Sequence, residues 1–450
     1  MMRTLKRIVL SLILLALVVL GGLWFYATSP TETRTLAAST AKLQEQVEAG
    51  RYVAVAGDCV ACHTAPGGQA FAGGLGIASP IGTIYSSNIT PDAGTGIGKY
   101  SLADFDRAVR YGIKPDGSSM YPAMPYPSYA RMSDQDVQAL YAYFMYGVEP
   151  VVSGNRATDI AWPLSMRWPL GIWRKSFAPA AAVKPVDPAK YKDAAVARGA
   201  YLVQSLGHCG SCHTPREPTL QEAALDESQT AYLSGGGPID GWFAVNLRGN
   251  DAAGLGRWSA QDIADVLKTG RNPHAAVVGA PMGDVVMHST QSMSDPDLLA
   301  IAAYLKSLPA SPIDVARYKP DDSTAKVLAA GIENGRGAQL YLDNCSACHR
   351  SNGQGSPKVF PAIAGNATVL SGNSATLIRL VLAGSAMPAT QTAPSALGMP
   401  GFAARMSDEE TAQLLTFVRQ NWGNAAGPVS AQEVGEVRKT LPENVVTQAQ

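Results

Sequence analysis

The sequence has no excess of charge of either sign: 36 Lys and Arg balance 36 Asp and Glu in 450 residues, and charged residues are only 16% of the chain. It therefore offers no basic stripe of the kind nucleic-acid binding calls for, and no nucleic-acid partner is expected. It has no Ser-His-Asp arrangement, no phosphate-cradling loop and no nucleotide-binding pattern; Gly235-Gly236-Gly237 signals no more than a turn. No cysteine lies outside a C-x-x-C pair, and no apolar run after the N-terminal one is long enough to span a membrane. What the chain does have is glycine and proline, 44 and 30 residues, with 46% hydrophobic residues. That balance suits loops wrapped around large apolar ligands, and the length allows about three domains of roughly 100–200 residues.

The N-terminus combines Arg3, Lys6 and Arg7 with an apolar run from Ile8 to Ala27. A positive segment before a long apolar one marks export, and the run matches the ~20 residues needed to cross a bilayer. Leu23-Trp24-Phe25-Tyr26 stands where a small-residue cleavage site would be. The expectation is an uncleaved anchor over residues 1–30, with the rest of the chain on the periplasmic side of the inner membrane. The alternative is a cleaved signal peptide, cut near Ala37-Ala38.

The six cysteines form three motifs: Cys59-Val-Ala-Cys62-His63, Cys209-Gly-Ser-Cys212-His213 and Cys345-Ser-Ala-Cys348-His349. C-x-x-C-H is the pattern of covalent c-type haem attachment. Two thiols two residues apart reach the two vinyl groups on one edge of a porphyrin, and the following imidazole lies under the iron as proximal ligand. Zinc would want motifs closing four-ligand sites in pairs, and three identical units cannot pair off. A redox dithiol gives no reason for His to follow every time. Three covalent haems c are expected.

The surroundings of the motifs repeat. A helical stretch with an early glycine precedes each, at Gly50, Gly199 and Gly337. After each comes a loop and a capped helix, bounded by Ser101 and Gly112, Ser259 and Gly270, and Asn373 and Gly384, eleven residues apart each time. A last helix follows Met132-Ser133-Asp134, Met293-Ser294-Asp295 and Met406-Ser407-Asp408, with Asp136, Asp297 and Glu410 placed for capping boxes. The predicted architecture is all-α: three tandem class I cytochrome c domains at 43–150, 190–312 and 331–425. A Trp-rich linker fills 151–189 and a polar tail 426–450.

A haem iron used for electron transfer takes a second strong ligand, and Met with His raises its potential. Met124 lies twelve residues after Gly112, and Met282 twelve after Gly270. In the third unit Met399 is eight residues before Ser407, close to the nine between Met124 and Ser133. Met124, Met282 and Met399 are the expected sixth ligands; their rivals are Met120, Met287 and Met387. His208 directly precedes Cys209, on the wrong side to bind iron. His274 could replace Met282, but a surface or loop role is expected for it; His288 is given no role.

Beyond these motifs, several segments resemble one family in order: Ile81-Gly-Thr-Ile-Tyr-Ser-Ser-Asn-Ile-Thr-Pro-Asp92, Thr95-Gly-Ile-Gly98, Tyr121-Pro-Ala-Met-Pro-Tyr-Pro-Ser-Tyr129, Trp162-Pro-Leu-Ser-Met-Arg-Trp-Pro-Leu170, Met282 to Gln291, and Phe417-Val-Arg-Gln-Asn-Trp-Gly-Asn424. They resemble the triple-haem cytochrome subunit of bacterial membrane-bound dehydrogenases for alcohols and sugars, over about residues 45 to 425. The resemblance implies a partner subunit, with flavin or pyrroloquinoline quinone, that oxidises a CH-OH donor. It also implies a small subunit, and ubiquinone in the inner membrane as electron acceptor. The chain itself has no flavin-binding pattern, so no catalytic residue is assigned. A free-standing periplasmic shuttle and a haem peroxidase or reductase are the alternatives; the last would need one haem with an open distal position. The linker residues Trp162, Trp168, Trp173 and Phe177, with Arg167, Arg174 and Lys175, are expected to pack on their own domains. A membrane or partner surface is the competing reading.

Overall fold

The computed structural model describes residues 2–36, 43–272, 278–279, 281–312, 317–332, 335–443 and 445. His274 and the Ala37-Ala38 cleavage candidate lie outside them. Helix α1, Met2–Thr28, has almost no buried surface, as its uniformly apolar sequence demands of a segment with no protein around it. Among the described residues it is the one helix long and apolar enough to cross a membrane, with a mean hydropathy of 2.8.

The chain divides into two compact units, residues 1–186 and 187–450. The first contains α1, α2 (Val47–Ala56), α3 (Leu102–Tyr111), α4 (Asp134–Ala142) and α5 (Pro169–Phe177). The second contains α6 (Ala194–Tyr201), α7 (Ala260–Thr269), α8 (Met282–His288), α9 (Asp295–Ser307), α10 (Arg336–Asn344), α11 (Ala375–Ala383), α12 (Asp408–Gln420) and α13 (Ala431–Arg438). Two C-x-x-C-H motifs thus share one unit. The fold is helical, as expected, with a few short strands that the sequence reading did not include. Short antiparallel pairings follow the motifs: β2 (Gly82–Tyr85) between β1 (Gly76–Ser79) and, from the linker, β3 (Asp159–Ile160); β4 (Pro238–Ile239) with β5 (Trp242–Phe243); and β6 (Ser385–Ala386) with β7 (Gly398–Met399). Strands of two to four residues leave too little alternation to be read from sequence.

The helix punctuation follows hydrogen-bond chemistry. Ser101 and Ser259 cap α3 and α7 in full capping boxes with Asp104 and Asp262, and left-handed Gly112 and Gly270 end them. At α11 the cap sits one residue later than expected: the helix starts after Ser374, while Asn373 Oδ1 accepts the Ala375 amide at 2.8 Å. Ser133, Ser294 and Ser407 cap α4, α9 and α12 by accepting the amides of Asp136, Asp297 and Glu410.

In each region the helix before the motif packs on the last one: α2 on α4, α6 on α9, α10 on α12. The crossing is made at the early glycine. A Cβ on Gly50 would stand 1.8 Å from Ala139 O, one on Gly199 1.9 Å from Ala300 O, and one on Gly337 2.6 Å from Gln413 O. Those carbonyls are all six residues past the capping serine, and the next contacts, with the Cβ atoms of Tyr143, Tyr304 and Phe417, are all ten past it. One crossing geometry is therefore used three times. Gly199→Ala is expected to destabilise the haem-loaded chain by about 1–3 kcal/mol or more, because a packed backbone must move. Gly427→Ala, with open space around it, should leave thermal unfolding followed by far-ultraviolet circular dichroism unchanged.

Candidate functional site

Each motif folds as a single helical turn, Cys59–Cys62, Gly210–His213 and Ser346–His349. Left-handed residues, Asp58 at φ 52° and His208 at φ 35°, break the chain direction before the first two. His208 is thus a turn residue. The histidine that ends each motif makes the same contact. Nδ1 meets the backbone oxygen of Ser87 at 2.7 Å from His63, of Val245 at 2.7 Å from His213, and of Pro361 at 2.8 Å from His349. A carbonyl only accepts, so the ring proton is on Nδ1 and the lone pair on Nε2. Burial holds all three imidazoles below the ordinary histidine value, although the carbonyl bond works the other way. A neutral, oriented imidazole with a bare Nε2 is what a metal ligand must be. Burial also pushes the first thiol of each motif, Cys59, Cys209 and Cys345, up to about 12.

Buried asparagines outside the C-x-x-C-H motifs brace the loops that present these carbonyls. Asn88, next to Ser87, is buried and donates to Val151 O at 2.8 Å and Thr95 Oγ1 at 3.1 Å, while its Oδ1 accepts from the Thr90 amide and hydroxyl. Asn246, next to Val245, bonds Asn250 and Ser311 and accepts the Arg248 amide. In the third region Asn424 donates to Ile363 O and accepts the Gly365 amide, just after Pro361. An Asn followed two residues on by a residue whose amide it accepts is the signal that would have found Asn88 and Asn246.

The three methionines sit on different elements: Met124 lies in a loop, Met282 opens α8 and Met399 ends β7. Met124 precedes a short helical turn, Tyr126–Tyr129, whose Tyr129 hydroxyl donates to Gly57 O at 2.8 Å, beside Cys59 and Cys62. Its rival Met120 sits in the preceding turn, its amide on Gly112 O. In the second unit one mostly apolar cavity of about 840 Å³ is lined by Cys212, His213 and Met282 and also by Cys345, Cys348, His349 and Met399. Met387 lines it too. Ser385 pairs with Met399, and the Met387 amide donates to Leu397 O, so both third-region rivals lie on one face of the β6–β7 hairpin. Met287 lies farther along α8, its carbonyl engaged by Gln291, and exposed His288 ends that helix.

These residues fit a covalent haem: thiol pair, neutral imidazole and thioether around an apolar space at the upper end of the ~300–1,000 Å³ usual for ligand cavities. Among the described residues no three Cys, His, Asp or Glu side chains converge, as a zinc site built from them would require. The linker turns its basic residues inward. Arg167 donates to Ser119 O, Arg174 to Ser119 Oγ and Thr31 Oγ1, and Lys175 to Ser29 O. Trp173 stacks edge-on against Tyr126. Trp162 and Leu164 stay 79% and 56% exposed.

A site of this kind defines a c-type cytochrome, and the comparisons agree. A sequence profile described as cytochrome c matches residues 47–146 and 335–422. The chain is 53% identical over 397 residues to the cytochrome c subunit of alcohol dehydrogenase (quinone) of Komagataeibacter europaeus, covering 88% of this chain and 84% of that one. It is 52% identical over 399 residues to the gluconate 2-dehydrogenase cytochrome c subunit of Pantoea cypripedii, covering 87% and 89%. It is 39% identical over 409 residues to the fructose dehydrogenase cytochrome subunit of Gluconobacter japonicus, covering 87% and 82%. The chain belongs to the cytochrome c family and, within it, to the cytochrome c subunits of dehydrogenases. It is an electron-transfer protein with covalent haem c.

Denatured mature protein is expected to give a pyridine haem spectrum and an intact mass corresponding to three haems. Replacing Cys209 and Cys212 together by Ala should remove one and leave two.

Proposed function

We propose that three cytochrome c units, each with one haem c, make this chain the electron-transfer subunit of a membrane dehydrogenase complex. It carries electrons from a catalytic subunit that oxidises a CH-OH donor, with flavin or pyrroloquinoline quinone, to ubiquinone. A small subunit completes the complex. The thioether cysteines are Cys59 and Cys62, Cys209 and Cys212, and Cys345 and Cys348. His63, His213 and His349 are the proximal ligands, and Met124, Met282 and Met399 the sixth ligands. Bound haem c supplies a one-electron couple. The residues do the rest: carbonyls of Ser87, Val245 and Pro361 hold each Nδ1 proton, and the loops keep water from the ring faces.

The observation that carries this reading is the cavity shared by the second and third motifs. Two redox groups lining one mostly apolar cavity support a relay rather than two separate stores. Purification of the full chain from its native membranes in mild detergent is expected to bring down a larger flavin- or quinone-containing subunit, and the isolated complex should reduce ubiquinone with its donor. Repeated recovery of the chain alone would favour a free-standing shuttle.

The same reading places the body on the periplasmic side, tethered by α1. The end of α1 is bound to the linker helix: a Cβ on Gly171 would stand 2.2 Å from Ala27 O, and Lys175 bonds Ser29. Trp162 and Leu164 precede that helix and stay exposed, which supports a contact with lipid. A photo-cross-linking side chain at position 162 in native membranes is expected to yield lipid adducts, whereas one at Val152, 82% exposed, should not. Adducts with protein alone at 162 would instead mark a subunit contact.

A further inference from the structure

Arg271 belongs to the second region, just past the left-handed Gly270 that ends α7, yet its side chain serves the third. It is buried, at 8% exposure. Nη1 donates to Lys358 O at 3.1 Å, and Nη2 donates to Ala393 O at 3.1 Å and Ser395 O at 2.8 Å. Lys358 lies three residues before Pro361, the carbonyl that holds the His349 ring. Ala393 and Ser395 lie in the loop between β6 and β7, which returns the chain to Met399. One guanidinium therefore ties together the loop that orients the proximal histidine and the loop that carries the methionines.

The surrounding contacts point the same way. Pro388, on the methionine loop, takes the space beside Gly270: its Cγ is 2.3 Å from where a Cβ would be. Gln291 Oε1 accepts the Gln391 amide at 3.0 Å. The second region thus supplies the wall against which the methionine loop is set. Spanning three carbonyls on two loops takes the rigid, five-donor fork of arginine; a lysine ammonium is a single point on a flexible stem.

We propose that Arg271 is a positioning residue for the third haem site, fixing from the neighbouring region the separation between the histidine-orienting loop and the sixth-ligand loop. The inference rests on the reading that the third motif holds a haem. A loosened methionine loop weakens the Met–iron bond, and loss of Met ligation lowers the potential.

The test uses the full-length, haem-loaded chain carrying Arg271→Gln or Arg271→Lys. Arg271→Gln is expected to lose one haem's share of the ferric methionine–iron absorption band. One component of the redox titration should fall in potential, with the pyridine haem count unchanged. Arg271→Lys, which keeps the charge but not the fork, should be intermediate, and it is read alone if the Gln variant does not accumulate. Met399→Ala and Met387→Ala, made in parallel, mark the component that belongs to the third site. The proposal is overturned if either Arg271 variant with a full haem count keeps the wild-type band and potentials. It is equally overturned if the altered component is not the one the methionine variants mark. If neither methionine variant alters the band, the ligand assignment fails separately. The component lost in Cys345→Ala with Cys348→Ala then marks the third site, and Arg271 is judged on that component's potential. A haem count already short of three in the wild type would sink the underlying reading instead.

Discussion

A neutral imidazole offers a lone pair at one nitrogen when the other keeps the proton, and a backbone oxygen enforces that division because it has no proton to give. In this chain the division is made three times, at His63, His213 and His349, by Ser87, Val245 and Pro361. The rest of the fold can be understood as the means of holding those oxygens still. Asn88, Asn246 and Asn424 fix the loops that present them. The loops in turn are anchored on helices that cross at Gly50, Gly199 and Gly337, where backbone meets backbone because no side chain intervenes. Burial adds to the effect by keeping each ring neutral.

The second unit takes this plan further than the repetition of a module requires. Its two motifs open on one cavity, and the regions that carry them exchange structural parts. Phe243 and Thr376 hydrogen-bond each other's backbone and hydroxyl. The Arg379 guanidinium lies 5.7 Å from the Trp242 ring centre, and that of Arg257 4.7 Å from the Tyr318 ring. Such contacts are directional, so they fix orientation as well as proximity, which distance-dependent electron passage needs.

Much of this was legible in the sequence because it rests on local rules. Cys-x-x-Cys-His fixes two thiols and an imidazole within five residues, and Ser101 with Gly112 or Ser259 with Gly270 mark helix ends through bonds no longer than a turn. At α11 two adjacent polar residues share the start: Ser374 holds the cap position while Asn373 Oδ1 accepts the Ala375 amide, so a single-residue cap could not be read off. The early glycines could be seen but not explained, since their meaning lies in a helix about ninety residues away, at Ala139, Ala300 or Gln413. The orienting carbonyls were invisible for a different reason: any residue can supply a backbone oxygen, so Ser87, Val245 and Pro361 have no side-chain signature. Arg167, Arg174 and Lys175 were expected to pack on their own domains, with a membrane or partner surface as the competing reading; their donors engage Ser119, Thr31 and Ser29.

The shared hollow of the second unit has a consequence for how its two motifs tolerate change. About 840 Å³ of mostly apolar space is walled by side chains from both regions, Trp242 and Phe243 from one and Phe360 and Phe402 from the other. Packed walls transmit a change in volume to their neighbours, so a substitution on one side is felt on the other. The two stretches of sequence are therefore constrained together, and neither can drift without the other.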